Sequence, residues 1–123
     1  MKVEIINDLE YKIYVIKEYL DYKNDSEKFL TNVFEEANLY YDIDNNGYIK
    51  IKMYIDPIYG VVLECLISEE KYYSYKLNIE LEEIKTNFLI ETNEKNGQVI
   101  NNKNYIKPNK LTDFELGKIY YKL

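Results

Sequence analysis

The sequence predicts an α+β fold: a mainly antiparallel sheet, ordered ββα and then β-meander, packed by one amphipathic helix, with a short C-terminal helix. Two patterns lead to this prediction. Several segments alternate apolar and polar residues with the period of a β-strand, whereas one segment repeats apolar residues with the period of an α-helix. The 123 residues have the size of one hydrophobic core, so we expect a single domain over residues 1–123.

The first two segments predict a β-hairpin. Residues 2–6 are rich in apolar side chains, and residues 11–16 alternate between two faces. Asn7 and Asp8 lie between these segments, and both residue types favour turns.

Helical periodicity is clearest over residues 25–40. Apolar residues recur there on one side of a helix: Phe29, Leu30, Val33, Phe34 and Ala37. Asn24 is a suitable N-cap, and Glu27 three residues later completes a capping-box pattern. We therefore expect an amphipathic helix whose apolar stripe packs on the sheet.

Strand periodicity returns after the helix. Over residues 48–55 the aliphatic face consists of Ile49, Ile51, Met53 and Ile55, and the opposite face of Tyr48, Lys50, Lys52 and Tyr54. A loop with Pro57 and Gly60 separates this strand from an apolar strand over residues 61–67. Residues 75–82 alternate again and predict a further strand.

The segments after residue 85 predict a second hairpin. Residues 86–92 and 98–101 flank the pair Asn96-Gly97, which favours positive φ. We therefore expect a hairpin tip at residues 93–97, followed by a polar loop over residues 101–109.

A short closing helix is expected near the C-terminus. Thr112 is a suitable N-cap with Glu115 three residues later. Leu116, Ile119 and Tyr120 then follow at helical spacing, although Gly117 weakens the pattern.

Residue usage indicates the kind of genome. Arg, His and Trp are absent, whereas Lys, Ile, Asn and Tyr, which have A/T-rich codons, are abundant, with 15 tyrosines. The usage indicates a low-GC bacterium or its phage. The same codon bias offers an explanation for the tyrosine enrichment other than selection for binding.

A few features of the sequence indicate the cellular compartment of the protein and the redox state of its cysteine. Every apolar run is far shorter than the roughly 18 residues that span a bilayer, and the first residues do not form a signal-peptide pattern. Cys65 is the single cysteine and lies in an apolar strand, so we expect a small buried core residue instead of a reactive thiol. These features predict a cytoplasmic protein.

Net charge limits the classes of partner. The chain carries −6 with lysines scattered among carboxylates, whereas nucleic-acid binding requires clustered basic residues. The same charge disfavours anionic membrane surfaces. We therefore expect neither direct nucleic-acid nor membrane binding, and an acidic chain of this kind permits a basic or nucleic-acid-binding protein as partner.

The residue inventory leaves little room for catalysis. Without histidine, neither a Ser-His nor a Cys-His nucleophile can form, and the four glycines are too far apart for a phosphate-binding loop. Carboxylate chemistry remains, but the acidic pairs are adjacent in sequence, as on a solvated surface. We expect a non-enzymatic protein without a cofactor.

One segment resembles the first part of a calcium-binding EF-hand loop. Asp42, Asp44, Asn46 and Gly47 occupy the corresponding positions. However, the twelfth position is Met53 instead of a bidentate Glu, and the ninth is Lys50. We interpret the segment as a turn between helix and strand, and we expect no metal site.

Exposed tyrosines on strands suit protein recognition, because they offer a large contact area at low entropic cost. The candidate protein-binding residues are Tyr48, Lys50, Lys52, Tyr54, Tyr72, Tyr73, Glu80 and Glu82. Alternatively, a second layer such as the terminal helix covers this strand face.

The function predicted from these patterns is a protein-interaction module, an acidic adaptor, regulator or inhibitor. Two alternatives remain open. One is a small-ligand-binding or carboxylate-dependent enzyme domain, which would need a deep pocket lined by carboxylates. The other is a homo-oligomeric structural component that associates through an unpaired strand edge.

Overall fold

A computed structural model describes residues 1–17, 26–41, 48–68 and 78–122 of the chain. The elements, in chain order, are β1 (Lys2–Asn7), β2 (Glu10–Ile16), α1 (Ser26–Tyr41), β3 (Tyr48–Asp56), β4 (Gly60–Ile67), β5 (Asn78–Lys85), β6 (Leu89–Thr92), β7 (Gln98–Ile100), β8 (Lys103–Ile106), a 3₁₀ turn (Leu111–Asp113) and β9 (Ile119–Tyr120). The predicted α+β class is confirmed.

Two sheets make up the strand structure of the described residues. The first sheet has the order β1-β2-β4-β3-β5, and the second sheet has the order β7-β8-β6-β9. All pairings are antiparallel except that of β3 with β5, which is parallel.

The N-terminal hairpin and the helix agree with their predictions. β1 pairs antiparallel with β2, and the Asn7 side chain closes the turn by accepting a bond of 2.9 Å from the Leu9 N–H. The helix predicted over residues 25–40 is observed as α1. The predicted cap Asn24 lies outside the described residues.

α1 packs on one side of the first sheet, the helix face. The predicted aliphatic side of β3 lies in this core, which contains Tyr11, Ile13, Leu30, Val33, Phe34, Ala37, Ile49, Ile51, Met53, Ile55, Val61, Leu63 and Cys65. Full burial of one large aliphatic or aromatic side chain contributes about 1.5–3 kcal/mol. This core therefore supplies most of the apolar burial, and Cys65 is part of it, as expected.

The turn between β3 and β4 is fastened by a buried carboxylate. Asp56 Oδ1 accepts from the N–H groups of Ile58 (2.9 Å) and Tyr59 (3.3 Å), and Oδ2 accepts from the Phe88 N–H (2.8 Å). Gly60 ends the turn with φ of 117°, and a Cβ there would lie 2.1 Å from the Val15 carbonyl oxygen. Asp56 thus joins this turn to the segment that leads into β6.

The position of β5 in the first sheet differs from the position that a simple meander would give it. β5 pairs parallel with β3 at the edge of the first sheet, so its neighbour is β3 and not β4, the strand that precedes it in the chain. The strand predicted over residues 75–82 is observed at residues 78–85, and residues 75–77 lie outside the described part. Alternation of side chains shows that a segment is a strand but does not specify its neighbour or direction.

In the second sheet, the tight hairpin turn lies at a different position from the predicted hairpin tip. β6 and β7, which flank residues 93–97, are not paired, because β8 lies between them. The tight turn is instead between β7 and β8, where Asn101 and Asn102 have φ of 50° and 64°. Asparagine tolerates this left-handed conformation better than most residues, so the Asn-Asn pair is the hairpin turn.

The C-terminal helix is reduced to one 3₁₀ turn. The Asp113 carboxylate accepts from the N–H groups of Asn109 (3.1 Å) and Lys110 (3.2 Å), which fixes this turn. Gly117 has φ of 82°, incompatible with a continuing helix, and the following residues form β9 beside β6. Ile119 and Tyr120 therefore lie on a strand instead of a helix.

The second sheet and the 3₁₀ turn, with Tyr121 and Lys122, form a C-terminal layer on the other side of the first sheet, the far face. Its contact with the far face contains Tyr14, Tyr54, Val62, Phe88 and Tyr121, with Ile16, Tyr59, Ile84, Phe114 and Ile119 at the border. Within the described residues, no helix has the length and apolarity needed to cross a membrane.

Asp56→Asn is expected to lower the free energy of unfolding by about 1–3 kcal/mol, because an amide cannot accept from both the turn and the Phe88 N–H. Urea denaturation of the full chain measures this. Asp8→Asn, the same change at an exposed position, is the control and is expected to change stability by less than about 0.5 kcal/mol. Equal stability of Asp56→Asn and the parent chain would contradict the assigned role.

Thr86→Val is expected to stabilise the chain by about 1 kcal/mol. The Thr86 hydroxyl is buried without a hydrogen-bond partner among the described residues, and valine has the same shape without the polar atom. Thermal denaturation is the measurement, with Thr112→Val at an exposed position as the control. A loss of stability in Thr86→Val would show that the hydroxyl has a partner.

Candidate functional site

Strand register arranges charged side chains in a row across the far face. One residue from each strand of the first sheet contributes, and the sign alternates from one edge to the other: Glu4, Lys12, Glu64, Lys52 and Glu82. Opposite charges directly across neighbouring strands attract, so this charged row favours the observed register.

A second row lies beside the first and contains an apolar residue. It consists of Glu10, Leu66, Lys50 and Glu80. Leu66 is 48% exposed, between Glu10 and Lys50. We call the part of the far face formed by this second row, with Tyr48, Lys52 and Glu82, the open face.

The open face contains a shallow depression of about 270 Å³. It is lined by Glu10, Lys50, Lys52, Glu64, Cys65 and Leu66. Charges of both signs and one leucine thus surround a single concave site on rigid strands.

Glu64 stands at the border between the open face and the C-terminal layer. Its Oε2 atom accepts from the Tyr121 hydroxyl (2.5 Å) and lies 3.0 Å from Lys122 Nζ and 3.9 Å from Lys12 Nζ. The Glu64 side chain is 17% exposed. One carboxylate in the middle strand therefore holds the last described residues of the chain against the sheet.

Two opposing effects set the pKa of Glu64. Burial raises it, but the hydrogen bonds from Tyr121 and Lys122 and the charges of Lys122 and Lys12 together lower it further, so the pKa lies below the ordinary value of 4.5. The Lys122 pKa is raised, first by its hydrogen bond to Glu64. Glu64 is therefore a charged, paired carboxylate at neutral pH.

An aromatic cluster surrounds the Tyr121 ring. The Tyr121 ring lies edge-on to Tyr54, with 4.9 Å between centroids, and to Tyr14, at 6.5 Å. Lys12 and Lys122 Nζ lie 5.6 and 5.9 Å from its centroid. Burial, with the charges of Glu4 and Glu64, raises the pKa of Tyr14 to about 12, and burial followed by the Glu64 bond raises the pKa of Tyr121.

Five of the predicted binding residues lie together on the open face: Tyr48, Lys50, Lys52, Glu80 and Glu82. The Tyr48 hydroxyl donates to Glu80 Oε2, and this hydrogen bond is the main reason that the Tyr48 pKa is raised. Lys50, Lys52 and Glu82 are exposed, and none of them forms an ion pair with another described residue.

The other three predicted residues are not part of the open face as described. Tyr54 is 7% exposed, because the C-terminal layer covers it through Tyr121. The alternative interpretation of a covering second layer thus holds for this residue. Tyr72 and Tyr73 lie outside the described residues.

Sequence reasoning missed Glu10, Glu64 and Leu66. Glu64 is the single charged residue in the apolar strand predicted over residues 61–67, and this is the sequence signal that could have identified it. Its far-face position follows from alternation, but its partner Tyr121 is 57 residues away and could not be inferred from local patterns.

A second depression, of about 200 Å³, lies between the first sheet and the C-terminal layer. Its wall is mostly apolar and is formed by Met1, Lys2, Tyr14, Ile16, Leu111, Phe114, Glu115, Leu116 and Ile119. Glu115 is its single carboxylate. This second depression therefore does not bring two acids together around a substrate.

Cys65 contributes to the open-face depression but points its side chain to the helix face. Burial raises the pKa of its thiol to about 12, although a hydrogen bond with Tyr11 opposes the shift. The thiol is therefore protonated at neutral pH and unsuited to nucleophilic chemistry.

The candidate metal-binding turn, Asp42 to Gly47, lies outside the described residues. Among the residues that are described, acidic and cysteine side chains do not form a group of three or more that could hold a metal ion.

Comparison with known proteins gives no relative: no family model, no curated protein and no solved structure matches this chain.

Glu64→Gln is expected to lower the free energy of unfolding by about 1–2 kcal/mol at pH 7, because the bonds from Tyr121 and Lys122 lose their charged acceptor. The folded-state pKa of Glu64 is lowered, so its contribution is present above the ordinary pKa of 4.5 and is lost as the pH falls through the folded value. The difference between the two chains should therefore shrink below pH 4.5.

Urea denaturation between pH 3 and pH 7 (about one measurement per half unit) tests this. Glu94→Gln, at an exposed position, is the control and should show little difference at any pH. A difference for Glu64→Gln that stays constant down to the lowest pH would refute the ionic role.

Proposed function

We propose that this chain is a non-enzymatic protein-interaction module, an acidic adaptor, regulator or inhibitor in the cytoplasm of a low-GC bacterium or its phage. In this proposal it binds a basic protein through the open face. The observation that carries the proposal is that the C-terminal layer covers one half of the far face and leaves the other half to solvent, with Leu66 at its centre.

The composition of the open face supports protein recognition. An exposed leucine is surrounded by charged residues, the arrangement of an apolar contact with a polar rim. Tyr48 adds an aromatic side chain that its bond to Glu80 holds in place. Since these side chains project from paired strands, little backbone entropy is lost when a partner binds.

The charges of the open face indicate the chemistry of the partner. Glu80 and Glu82 lie on β5, and Lys50 and Lys52 lie beside them on β3 without ion pairs to other described residues. A complementary partner places lysine or arginine over β5 and a carboxylate over β3. The net charge of −6 adds long-range attraction for a basic protein.

The state of Glu64, a carboxylate lining the depression, supports binding over acid–base catalysis at this residue. A general acid at neutral pH needs a raised pKa, whereas the pKa of Glu64 is lowered. Its oxygens are already engaged by Tyr121 and Lys122. This favours the interaction module over the carboxylate-dependent enzyme.

The test compares two triple variants as baits in lysate from a low-GC bacterium. The site variant is Lys50→Ser, Lys52→Ser and Leu66→Ser. The control variant has the same substitutions at other exposed positions, Lys95→Ser, Lys107→Ser and Leu116→Ser. We expect a basic protein to be captured by the parent chain and the control and lost by the site variant.

Calorimetry with the purified partner then measures affinity. The site variant should bind at least about tenfold more weakly than the control. Binding should also weaken as ionic strength rises, because the contact is charged. Equal binding of both variants, or no partner for the correctly folded parent chain, would argue against the open face as a binding site.

A further inference from the structure

The outer edge of β1 is a strand edge that lies apart from the open face. Among the described residues β1 pairs with β2 alone, and it forms one edge of the first sheet. Ile5 and Ile6 on this strand are 64% and 46% exposed. An edge strand of six residues without proline presents free backbone donors and acceptors to a further strand.

A second exposed apolar segment, the C-terminal end of α1, lies near the start of this edge. The Tyr41 hydroxyl donates to the Met1 carbonyl oxygen (3.3 Å), which places the C-terminal end of α1 beside the start of β1. Leu39 and Tyr40, which immediately precede Tyr41, are among the most exposed large hydrophobic residues described. The exposed end of α1 therefore lies beside the Met1 end of the β1 edge.

The sequence of β1 is complementary to itself in one antiparallel register. A two-fold axis through Val3 places Val3 opposite its own copy. Lys2 then lies opposite Glu4 of the second copy, and Glu4 lies opposite the Lys2 of that copy. On the other side of the strand, Met1 lies opposite Ile5. Charges thus meet opposite charges on the far face, and apolar residues meet on the helix face.

Neighbouring registers lack this complementarity. Only shifts that keep each side chain on its own face are allowed, and these move the axis by one residue along the strand. An axis through Glu4 places the two Glu4 carboxylates against each other. An axis through Ile5 places Glu4 against Ile6 and moves Lys2 opposite Asp8, which lies in the turn beyond the end of β1. The first of these registers brings like charges together, and the second leaves Glu4 without a charged partner within the strand, whereas the register centred on Val3 pairs both Lys2 and Glu4 with opposite charges.

The same register continues the charged row of the far face. That row ends at the β1 edge with Glu4, after alternating in sign across the first sheet. Lys2 of a second copy supplies the positive charge that comes next. We propose that a second copy of this chain binds at β1, so that two first sheets join into one ten-stranded sheet with two-fold symmetry.

The dimer is expected to be weak, because a pair of short edge strands and two helix ends bury an area at the low end of specific interfaces. Sedimentation velocity of the full chain over a concentration series measures its dissociation constant. We expect Lys2→Glu and Glu4→Lys each to raise that constant by at least about tenfold, since each creates two like-charge pairs across the axis.

Mixing the two variants tests the register itself. In a one-to-one mixture of Lys2→Glu with Glu4→Lys, the two substituted side chains face each other across the axis with opposite charges. The unchanged Lys2 of one chain likewise faces the unchanged Glu4 of the other, so we expect a heterodimer of about the parent affinity. The double variant should also dimerise with itself. Circular dichroism spectra and melting temperatures like those of the parent chain confirm that each variant is folded.

Three outcomes would overturn the proposal: a parent chain that stays monomeric at every concentration, a dimer insensitive to both single variants, or weakened single variants whose mixture is not restored. The partner binding proposed for the open face does not depend on this result. Lys2 and Glu4 are outside the open face, so dimer-deficient variants should still bind that partner.

Discussion

The structure depends on one carboxylate that joins its two layers. Glu64 lies on β4, the middle strand of the first sheet, and accepts the Tyr121 hydroxyl while Lys122 and Lys12 balance its charge. Asp56 acts similarly at the end of β3, where it bonds both a turn and the Phe88 N–H. Two buried or half-buried acids therefore fix where the C-terminal layer sits on the sheet, and so decide which half of the far face remains open.

Periodicity in the sequence was sufficient to predict the class of fold and one of its cores. In β3, alternation correctly separated Ile51 and Met53 from Lys50 and Lys52, because side chains in a strand point to opposite faces whatever its neighbours are. The parallel pairing of β5 could not be predicted in this way, since the neighbour and the relative direction of a strand depend on tertiary contacts.

The candidate site was predictable in part for the same reason. Lys52 and Tyr54 lie on one face of one strand, and local pattern treats them alike. The structure separates them, because Tyr121 packs on Tyr54 while Lys52 remains exposed. Leu66 and Glu64 were missed because their significance comes from residues on other strands. The sequence shows which residues share one face of a strand. Which part of that face is covered by another layer is known only from the folded structure.

The hydrogen bond between Glu64 and Tyr121 also bears on the order in which the two layers become available during synthesis. The two residues are 57 positions apart, and every strand of both sheets precedes Tyr121 in the chain. At ribosomal elongation rates of about 5–20 residues per second, this interval takes roughly 3–11 s to synthesise. The helix-face core can therefore assemble on the nascent chain while Tyr14 and Tyr54 still lack their cover. The ribosome thus supplies the residues of the helix-face core before the residues that cover the far face.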